Sequence, residues 1–377
     1  MVTLTERALR VETISSESEL AGLAGSWDEL VRAMPRPSPF LLPSWLLEWW
    51  RHYGGDDELA VHVAYRGDQL VAALPLCTRR RFGLRRMEFV GGTWALLADV
   101  LVAPDADRSV VRGLVEHVVA DDYDFASLFG LTGSSRLVAA LPSGSLRLIE
   151  RLEAPVLDLD AGWDAAYRAK FSRKARSERG RRMRQLESLG RIDVAVARSR
   201  PELGPALEDA FRIYALRWEG RRDPSGFVTP TGLRFHRAAL LGLAELDVPR
   251  VLTIRLDGRA IAYALYVQLE GRAYGLTTGF DPAYARFGPG NEAKLLSLQA
   301  AAAEGVTRAE ILGAAADHKR RLTDRYEPVY QGIGLARNFR GATAAEALHR
   351  GIQLRRRLKR STTAQSLYYR VPHLGRS

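Results

Sequence analysis

Residues 271–305 carry the clearest architectural signal in this chain, and they read GRAYGLTTGFDPAYARFGPGNEAKLLSLQAAAAEG. The run AYGLTTGF follows a Glu-Gly turn and predicts a strand. The loop DPAYARFGPGN comes next and is punctuated by glycine and proline, and EAKLLSLQAAAAEG predicts a helix. The stretch therefore indicates a strand that leads through a glycine-rich loop directly into a helix.

A hairpin precedes this strand. The runs VLTIRL and AIAYALYVQL flank the turn Asp257-Gly258, which is a turn typical of two-residue hairpins. We therefore expect three antiparallel neighbours followed directly by a helix. The strands are expected near 251–256, 260–269 and 272–279, and the helix over 291–304.

The first half of the chain follows the same plan. LAVHVAYR and QLVAALPL flank Gly67-Asp68, and a helix at 108–120 and a strand at 124–131 follow this second predicted hairpin. The order of elements is that of a mixed α/β (α+β) protein. Further helices are predicted at 18–34, from 43 onward with Ser44 as N-cap, and at 163–189, 201–218, 231–245 and 343–360.

Length and composition limit the class of protein. The chain has 377 residues, of which 46% are hydrophobic, and this suits a globular protein of about two domains. The single cysteine, Cys77, excludes an internal disulfide bond and a cysteine-rich metal site, and we expect no metal. No run reaches the roughly 18 apolar residues of a membrane-spanning helix, and the charged N-terminus does not resemble a secretory signal. We therefore expect a cytoplasmic protein.

Charge is divided unequally between the two halves. Residues 1–160 hold 16 basic and 23 acidic residues, a net charge of −7, and residues 161–377 hold 39 basic and 21 acidic residues, a net charge of +18. Residues 168–184, RAKFSRKARSERGRRMR, contain nine basic residues and one acidic residue. A GC-rich genome explains many arginines but not opposite signs, so we expect the second half to bind an anionic partner. The alternative for 168–184 is a solvated helix without a partner.

The loop before the 291–304 helix is a candidate phosphate site. Gly288 and Gly290 lie where the helix begins, so backbone N–H groups and the helix dipole face an incoming anion, and Arg286 adds a positive charge. The alternative is a plain loop with a Gly-Pro breaker. The sequence has neither the P-loop pattern nor the third glycine of a Rossmann fingerprint.

Several segments resemble a known family. They are PFLLPSWLLEWWRHYG (39–54), KARSERGRRMRQLESLG (174–190) and the region DGRAIAYALYVQLEGRAYGLTTGFDPAYARFGPGNEAKLLSLQAAAAEG (257–305). Over roughly 40–340 the chain resembles the GNAT superfamily of N-acyltransferases, and within it the tandem-domain CelD-like proteins, which are similar to Fem-type aminoacyltransferases. The resemblance implies two tandem GNAT-like acyltransferase domains, each a mostly antiparallel mixed sheet flanked by helices.

The resemblance also implies that the parts of the chain have different roles. Residues 1–160 form an N-terminal GNAT-like domain that is expected to be degenerate, because it lacks a comparable glycine loop. Residues 161–342 form the domain that binds acyl-CoA, and 343–377 a basic helix and tail. The pyrophosphate of acyl-CoA is then expected on Arg286, Gly288, Gly290 and Asn291. The spacing of RFGPG departs from the family pattern Q/R-x-x-G-x-G/A.

The sequence indicates the catalytic residues less clearly than the phosphate site. Acylation of an amine by direct attack needs a base for the ammonium proton and a donor for the leaving thiolate. Asp281 and Glu219 are candidate bases, with His318 a third, and Tyr284 is the candidate donor. Asp281 and Tyr284 also have ordinary structural alternatives, a turn residue and a packed loop tyrosine.

The acceptor is expected in a cleft between the domains, in contact with Asp99, Arg217 and Lys319. Lys319 belongs to a His-Lys pair that the resemblance associates with catalysis or substrate binding, and its alternative is a solvated loop residue. The sequence thus predicts an acyl-CoA-dependent N-acyltransferase that acts on a small-molecule amine, such as a sugar- or envelope-related compound. Two alternatives remain open, an aminoacyl-tRNA-dependent Fem-type transferase and a non-catalytic binding module.

Overall fold

The computed structural model describes residues 8–219, 226–227, 229–312 and 322–360. The strands are β1 (Leu9–Ile14), β2 (Glu58–Arg66), β3 (Gln69–Arg81), β4 (Leu84–Phe89), β5 (Leu101–Val102), β6 (Phe125–Thr132), β7 (Leu146–Asp158), β8 (Ile192–Ala197), β9 (Pro249–Leu256), β10 (Arg259–Leu269), β11 (Arg272–Phe280), β12 (Arg308–Ile311) and β13 (Tyr326–Gly334).

Helices cover the faces of these strands. They are α1 (Glu17–Gly22), α2 (Ala24–Arg32), α3 (Pro43–Tyr53), α4 (Arg108–Ala120), α5 (Arg136–Ala140), α6 (Trp163–Lys170), α7 (Arg173–Glu187), α8 (Arg200–Trp218), α9 (Pro230–Leu243), α10 (Pro289–Ala303) and α11 (Phe339–Arg360). No helix in the described ranges combines the length and the apolarity that crossing a membrane requires.

The strands form one sheet, and the pattern of antiparallel and parallel pairings is the same from both edges. The order is β1-β2-β3-β4-β6-β13-β7-β12-β11-β10-β9-β8, with β5 beside β3. From either edge inward there are three antiparallel pairings, then one parallel pairing, β4 with β6 or β11 with β12. We call β1 to β6 with their helices the first unit, and β8 to β12 with theirs the second unit.

The centre of the sheet is made by β7 and β13, which are antiparallel to each other. β13 comes from the end of the chain and pairs with β6 of the first unit, whereas β7 comes from the first half and pairs with β12 of the second unit. Strand pairing therefore crosses the predicted boundary at residue 160. The division into 1–160, 161–342 and 343–377 stays a prediction.

Both predicted hairpins are confirmed. β2 pairs with β3 around Gly67, and β9 pairs with β10 around Gly258; both glycines have positive φ, 63° and 81°. The antiparallel order of β9, β10 and β11 is confirmed as well, with α10 directly after β11.

Other sequence predictions were wrong at particular residues. The helix predicted at 163–189 is broken, because the Ser172 hydroxyl accepts a hydrogen bond from Ala175 N and begins α7 after α6 has ended. The helix predicted at 18–34 is likewise two helices, α1 and α2. Ser44 is not the N-cap of α3; Leu42 occupies that position and Pro43 is the first helical residue.

The two units share a buried aromatic cluster. Helix α3 lies against α9, with the ring of Trp45 centred 5.0 Å from that of Phe235, and Trp94 centred 4.3 Å from His236. Trp45 and Phe235 belong to one hydrophobic cluster with members from both units, and Trp94 packs against it. Burial of each large apolar side chain contributes roughly 1.5–3 kcal/mol, so this cluster fixes the units against each other.

A buried ion network makes a second connection. The Glu310 side chain on β12 is 0% exposed and accepts two hydrogen bonds from Arg36 Nε, at 3.0 and 3.1 Å. Arg272 Nη1 donates to it at 3.3 Å, and Arg308 lies at 3.4 Å. Arg36 belongs to the chain after α2, so the network joins the first unit to the parallel pair β11 and β12.

We expect Glu310→Gln to lower the free energy of unfolding by up to about 3–5 kcal/mol, because it removes the buried carboxylate that three arginines share. Glu327 remains as a counter-charge for Arg36, at 3.3 Å, and for Arg308, at 2.6 Å, but not for Arg272. Urea denaturation of the full chain measures this change. Glu12→Gln is the matched control: Glu12 is 42% exposed in its pair with Arg10, so it should change stability by less than about 1 kcal/mol. Equal stability of the two variants would contradict the structural role of the network.

Candidate functional site

A cleft of about 1060 Å³ opens in the second unit. β11 and β12 pair in parallel only over Arg272–Gly275 and Arg308–Ile311. Beyond Gly275, β11 continues to pair with β10 as far as Phe280. In the described part of the chain no strand pairs with the other edge of β11 there, so backbone N–H and C=O groups of 276–280 face the cleft.

A β-bulge produces this divergence. Leu265 of β10 pairs with Thr277 and Tyr266 pairs with Gly275, so Leu276 is an extra residue on β11. A bulge bends the strand that carries it and increases its twist. The bulge therefore turns the second half of β11 away from β12 and opens the cleft at the point where the parallel pairing ends.

The start of α10 forms one end of the cleft. Its N-cap, Gly288, has a left-handed φ of 67° and offers no side-chain cap, and Pro289 has no N–H group. Gly290 is needed for close approach, because a Cβ there would lie 2.6 Å from Cδ1 of Phe280. Asn291 is exposed. The helix start is thus open to an anion, as its dipole favours.

The basic helix α7 is docked beside this helix start. Arg179 makes a two-point contact with Glu292 of α10, at 2.7 and 2.6 Å, and this hydrogen-bonded carboxylate raises the pKa of Arg179 above its ordinary value. Arg182 Nη1 lies 3.7 Å from the position of a Cβ on Gly288. The charge of Glu292 is therefore compensated by Arg179, and Arg182 adds a positive charge at the end of the cleft.

Five of the residues predicted from the sequence line the cleft together: Arg217, Glu219, Gly288, Gly290 and Asn291. Arg217 and Glu219 come from the C-terminal end of α8 and are exposed. The other three come from the start of α10. Lys319 and His318 lie outside the described residues.

Three predicted residues lie near the cleft without lining it. Asp281 is buried and caps the 3-10 turn 282–287: it accepts from Ala283 N at 3.0 Å and from Arg259 Nη2 at 3.2 Å. Tyr284 packs against the second unit's hydrophobic cluster, and the Arg286 guanidinium lies 4.6 Å from the ring centre of Phe287. Asp281 thus has the turn role that the sequence left open as its alternative.

Asp99 lies in the first unit. Its carboxylate accepts hydrogen bonds from Val100 N, Ser135 Oγ, Arg136 N and Leu137 N, at 2.8 to 3.0 Å. Burial raises the pKa of this carboxyl, and these hydrogen bonds oppose the rise. The group holds the start of α5 and borders a separate cavity of about 40 Å³, so the structure does not bring it to Arg217.

Several residues that line the cleft were not predicted from the sequence. They include Thr277 and Thr278 on the open edge of β11, and Lys294, Ser297 and Ala301 on α10. Lys294 is 8% exposed. The positions 290, 294, 297 and 301 recur at helical spacing, which places them on one face of α10. The sequence did contain a hint of the role of Lys294, because lysine is rare in this chain and Lys294 follows the glycine loop by one helical turn.

The corresponding region of the first unit is filled by the chain itself. Ala98 N donates to Gly130 O on β6 at 3.0 Å, and Ala95 and Leu97 are buried. At the start of α4, the Asp107 carboxylate accepts from Ser109 N at 2.8 Å, so an anion would meet a negative charge there. The expectation that the first unit is degenerate stays a prediction, which these contacts favour.

The family comparison covers the unit that has the cleft. Residues 158–320 match the model of the acetyltransferase (GNAT) domain. This segment is therefore a GNAT acetyltransferase domain. The protein is therefore an acyltransferase, and the open edge of β11 and the start of α10 both lie inside the matched GNAT region. The CelD-like subgroup stays a prediction.

Solved structures support the same fold across most of the chain. FemX matches with a TM-score of 0.59 and 11% identity, over 85% of this chain and 96% of that one. The C-terminal domain of an Agrobacterium fabrum protein described as a lysylphosphatidylglycerol synthetase matches with a TM-score of 0.53 and 15% identity, over 89% and 95%. L-PGS from Bacillus licheniformis matches with a TM-score of 0.50 and 13% identity, over 82% and 96%.

At these identities the likenesses show the fold alone. The predicted mixed α/β fold of tandem GNAT-like units is confirmed. No curated protein matches the chain by sequence.

We expect Gly290→Ala to destabilise the protein by about 1–3 kcal/mol, because the new methyl group collides with Phe280 inside a packed region. Thermal or urea denaturation measures the effect. Gly351→Ala on α11 is the control with the same chemical change: no atom lies within 4 Å of its Cβ position, so it should stabilise by about 0.5–1 kcal/mol. If both variants gained stability, the close packing at Gly290 would be refuted.

Proposed function

We propose that the protein is an acyl-CoA-dependent N-acyltransferase whose second unit holds the acyl donor. The observation that carries this proposal is the continuous path from the open edge of β11 to the uncapped start of α10. A pantetheine arm has amide groups that pair with a strand edge in the manner of an added strand. A pyrophosphate then meets the helix start.

Arg182 and Asn291 are proposed to complete the phosphate site. Arg182 lies beside Gly288 and offers a charge-assisted hydrogen bond. Asn291 is exposed in the first turn of α10 and offers an uncharged amide. Arg286 is exposed next to the same loop, where its charge adds to the local positive potential.

The acyl group is proposed to be transferred by direct attack of the acceptor amine. The amine nitrogen forms a bond to the thioester carbonyl carbon, the C–S bond breaks, and the amine loses a proton. We propose that a backbone N–H of the open β11 edge stabilises the developing oxyanion. Of the predicted bases, Glu219 lines the cleft, and we assign it the ammonium proton. Asp281 is already held by Ala283 and Arg259.

The acceptor is proposed to be a small-molecule amine that enters from the α8 side, where Arg217 is exposed. Arg217 favours an acceptor that also carries a carboxylate or phosphate. We propose that Tyr284 donates a proton to the leaving thiolate. Lys319 is proposed to contact the acceptor amine molecule. A sugar- or envelope-related amine fits this description.

The outer face of α7 favours a second candidate, an aminoacyl-tRNA-dependent transferase. Its exposed basic residues include Arg173, Lys174, Arg181 and Arg184. A phosphate backbone would bind such a surface through several cations at once, and its affinity would fall steeply with salt. A soluble CoA molecule would use only the side of α7 that faces α10.

Arg182 and Arg184 distinguish the two candidates, because the side chains two residues apart on a helix point in different directions. We expect Arg182→Ala to weaken CoA binding by about tenfold, the loss of one charge-assisted hydrogen bond. Arg184→Ala should leave CoA binding unchanged. Isothermal titration with CoA and, separately, with tRNA across a salt series measures both variants.

CoA binding that is insensitive to Arg182→Ala would contradict the proposed phosphate site. Tight tRNA binding weakened by both variants, with no binding of CoA, would instead favour the tRNA-dependent transferase.

A further inference from the structure

A second cluster of chemically capable side chains lies in the first unit, away from the cleft. His62 on β2, His117 in the last turn of α4 and Asp121 directly after α4 each offer one ligand atom, and these atoms lie within 4.8 Å of one another. His117 and Asp121 are four residues apart at a helix end, so they share one face. Two imidazoles and one carboxylate are a donor set that transition-metal ions prefer.

His62 is the informative member of this cluster. It is 0% exposed, and its Nε2 atom makes no hydrogen bond in the described part of the chain. Asp121 Oδ2 lies 3.2 Å from this nitrogen but outside hydrogen-bonding geometry. Buried polar atoms are normally satisfied, and each exception needs an explanation. A cation between the nitrogen and the carboxylate would satisfy both.

Thr13 on β1 fixes the opposite side of the imidazole. Its hydroxyl lies 3.1 Å from His62 Nδ1 and 3.0 Å from His117 Nε2. The hydroxyl oxygen has two acceptor lone pairs, so it accepts from both rings when His62 Nδ1 and His117 Nε2 carry the ring protons. In that arrangement His62 Nε2, which faces Asp121, and His117 Nδ1 keep their lone pairs for a metal ion. Such an outer hydrogen bond is how metal-binding histidines are usually oriented.

The surrounding charges are compatible with a cation. Arg337 donates to the main-chain oxygens of Ala120 and Asp121, the former at 2.9 Å. Arg85 is paired with Glu58 at 2.6 Å and with Asp122 at 2.9 Å. Both guanidinium groups are thus occupied elsewhere, and the C-terminal end of α4 contributes the negative end of a helix dipole.

We propose that His62, His117 and Asp121 bind a divalent transition-metal ion of the zinc class, with water in the remaining position. His117 and Asp121 are partly exposed, which gives the ion a path of entry and leaves one side of it open to solvent. The ion connects the edge strand β1, through Thr13, to β2 and α4. This proposal departs from the expectation that no metal binds, which was based on the scarcity of cysteine.

The test is Zn²⁺ titration of the full chain after dialysis against a chelator, with Co²⁺ absorption as a report on ligand geometry. We expect one Zn²⁺ per chain, a rise in melting temperature on binding, and weak or no binding of Mg²⁺ and Ca²⁺, which prefer oxygen ligands. His117→Ala and Asp121→Asn should each weaken Zn²⁺ binding at least tenfold.

Two controls make the result specific. Asp122→Asn changes the adjacent carboxylate, which is outside the cluster, and His349→Ala removes a partly exposed histidine on α11. Neither should alter Zn²⁺ affinity or the thermal shift. Because His62→Ala alters a buried residue, the proposal is judged on the partly exposed positions 117 and 121. Absence of stoichiometric Zn²⁺ binding would overturn it, as would binding that survives both His117→Ala and Asp121→Asn.

Discussion

A carboxylate that solvent does not reach, that of Glu310, is the constraint on which the architecture depends. Three arginines surround it, from the chain after α2, from β11 and from β12 itself. A buried charge of this kind is tolerated only when its partners are held in place. The network therefore fixes β11 and β12 together at the closed end of the cleft, and it fixes the first unit against the second through Arg36.

The two units have the same topology, but the gap between their diverging strands is closed in one and open in the other. Each has a parallel strand pair followed by divergence, and each has a helix that begins near the gap. In the first unit the chain closes its own gap at Gly130, and Asp107 caps the helix. In the second unit the bulge at Leu276 keeps the gap open, and the glycine N-cap adds no side chain at the helix start. A few loop residues on a shared frame thus decide whether the gap is closed or open.

Sequence patterns predicted the local parts of this fold well. The hairpins around Gly67 and Gly258 have strong turn chemistry, and α4 and β8 have clear periodicity. β13 was missed, because Pro328 and two glycines interrupt it and proline normally argues against a central strand; Pro328 is accommodated because pairing with β6 begins only at Val329. Side-chain partners such as Arg179 with Glu292 join distant segments, so no spacing rule reveals them.

The exchange of β7 and β13 has a consequence for biosynthesis. During translation the first unit emerges early, yet β13, the strand that pairs with β6, follows all strands of the second unit in the chain. Until then β6 has an unpaired edge, which is a site for misassociation between nascent chains. Contacts of such long sequence separation also form slowly. The first unit therefore completes its sheet only after the second unit has been synthesised.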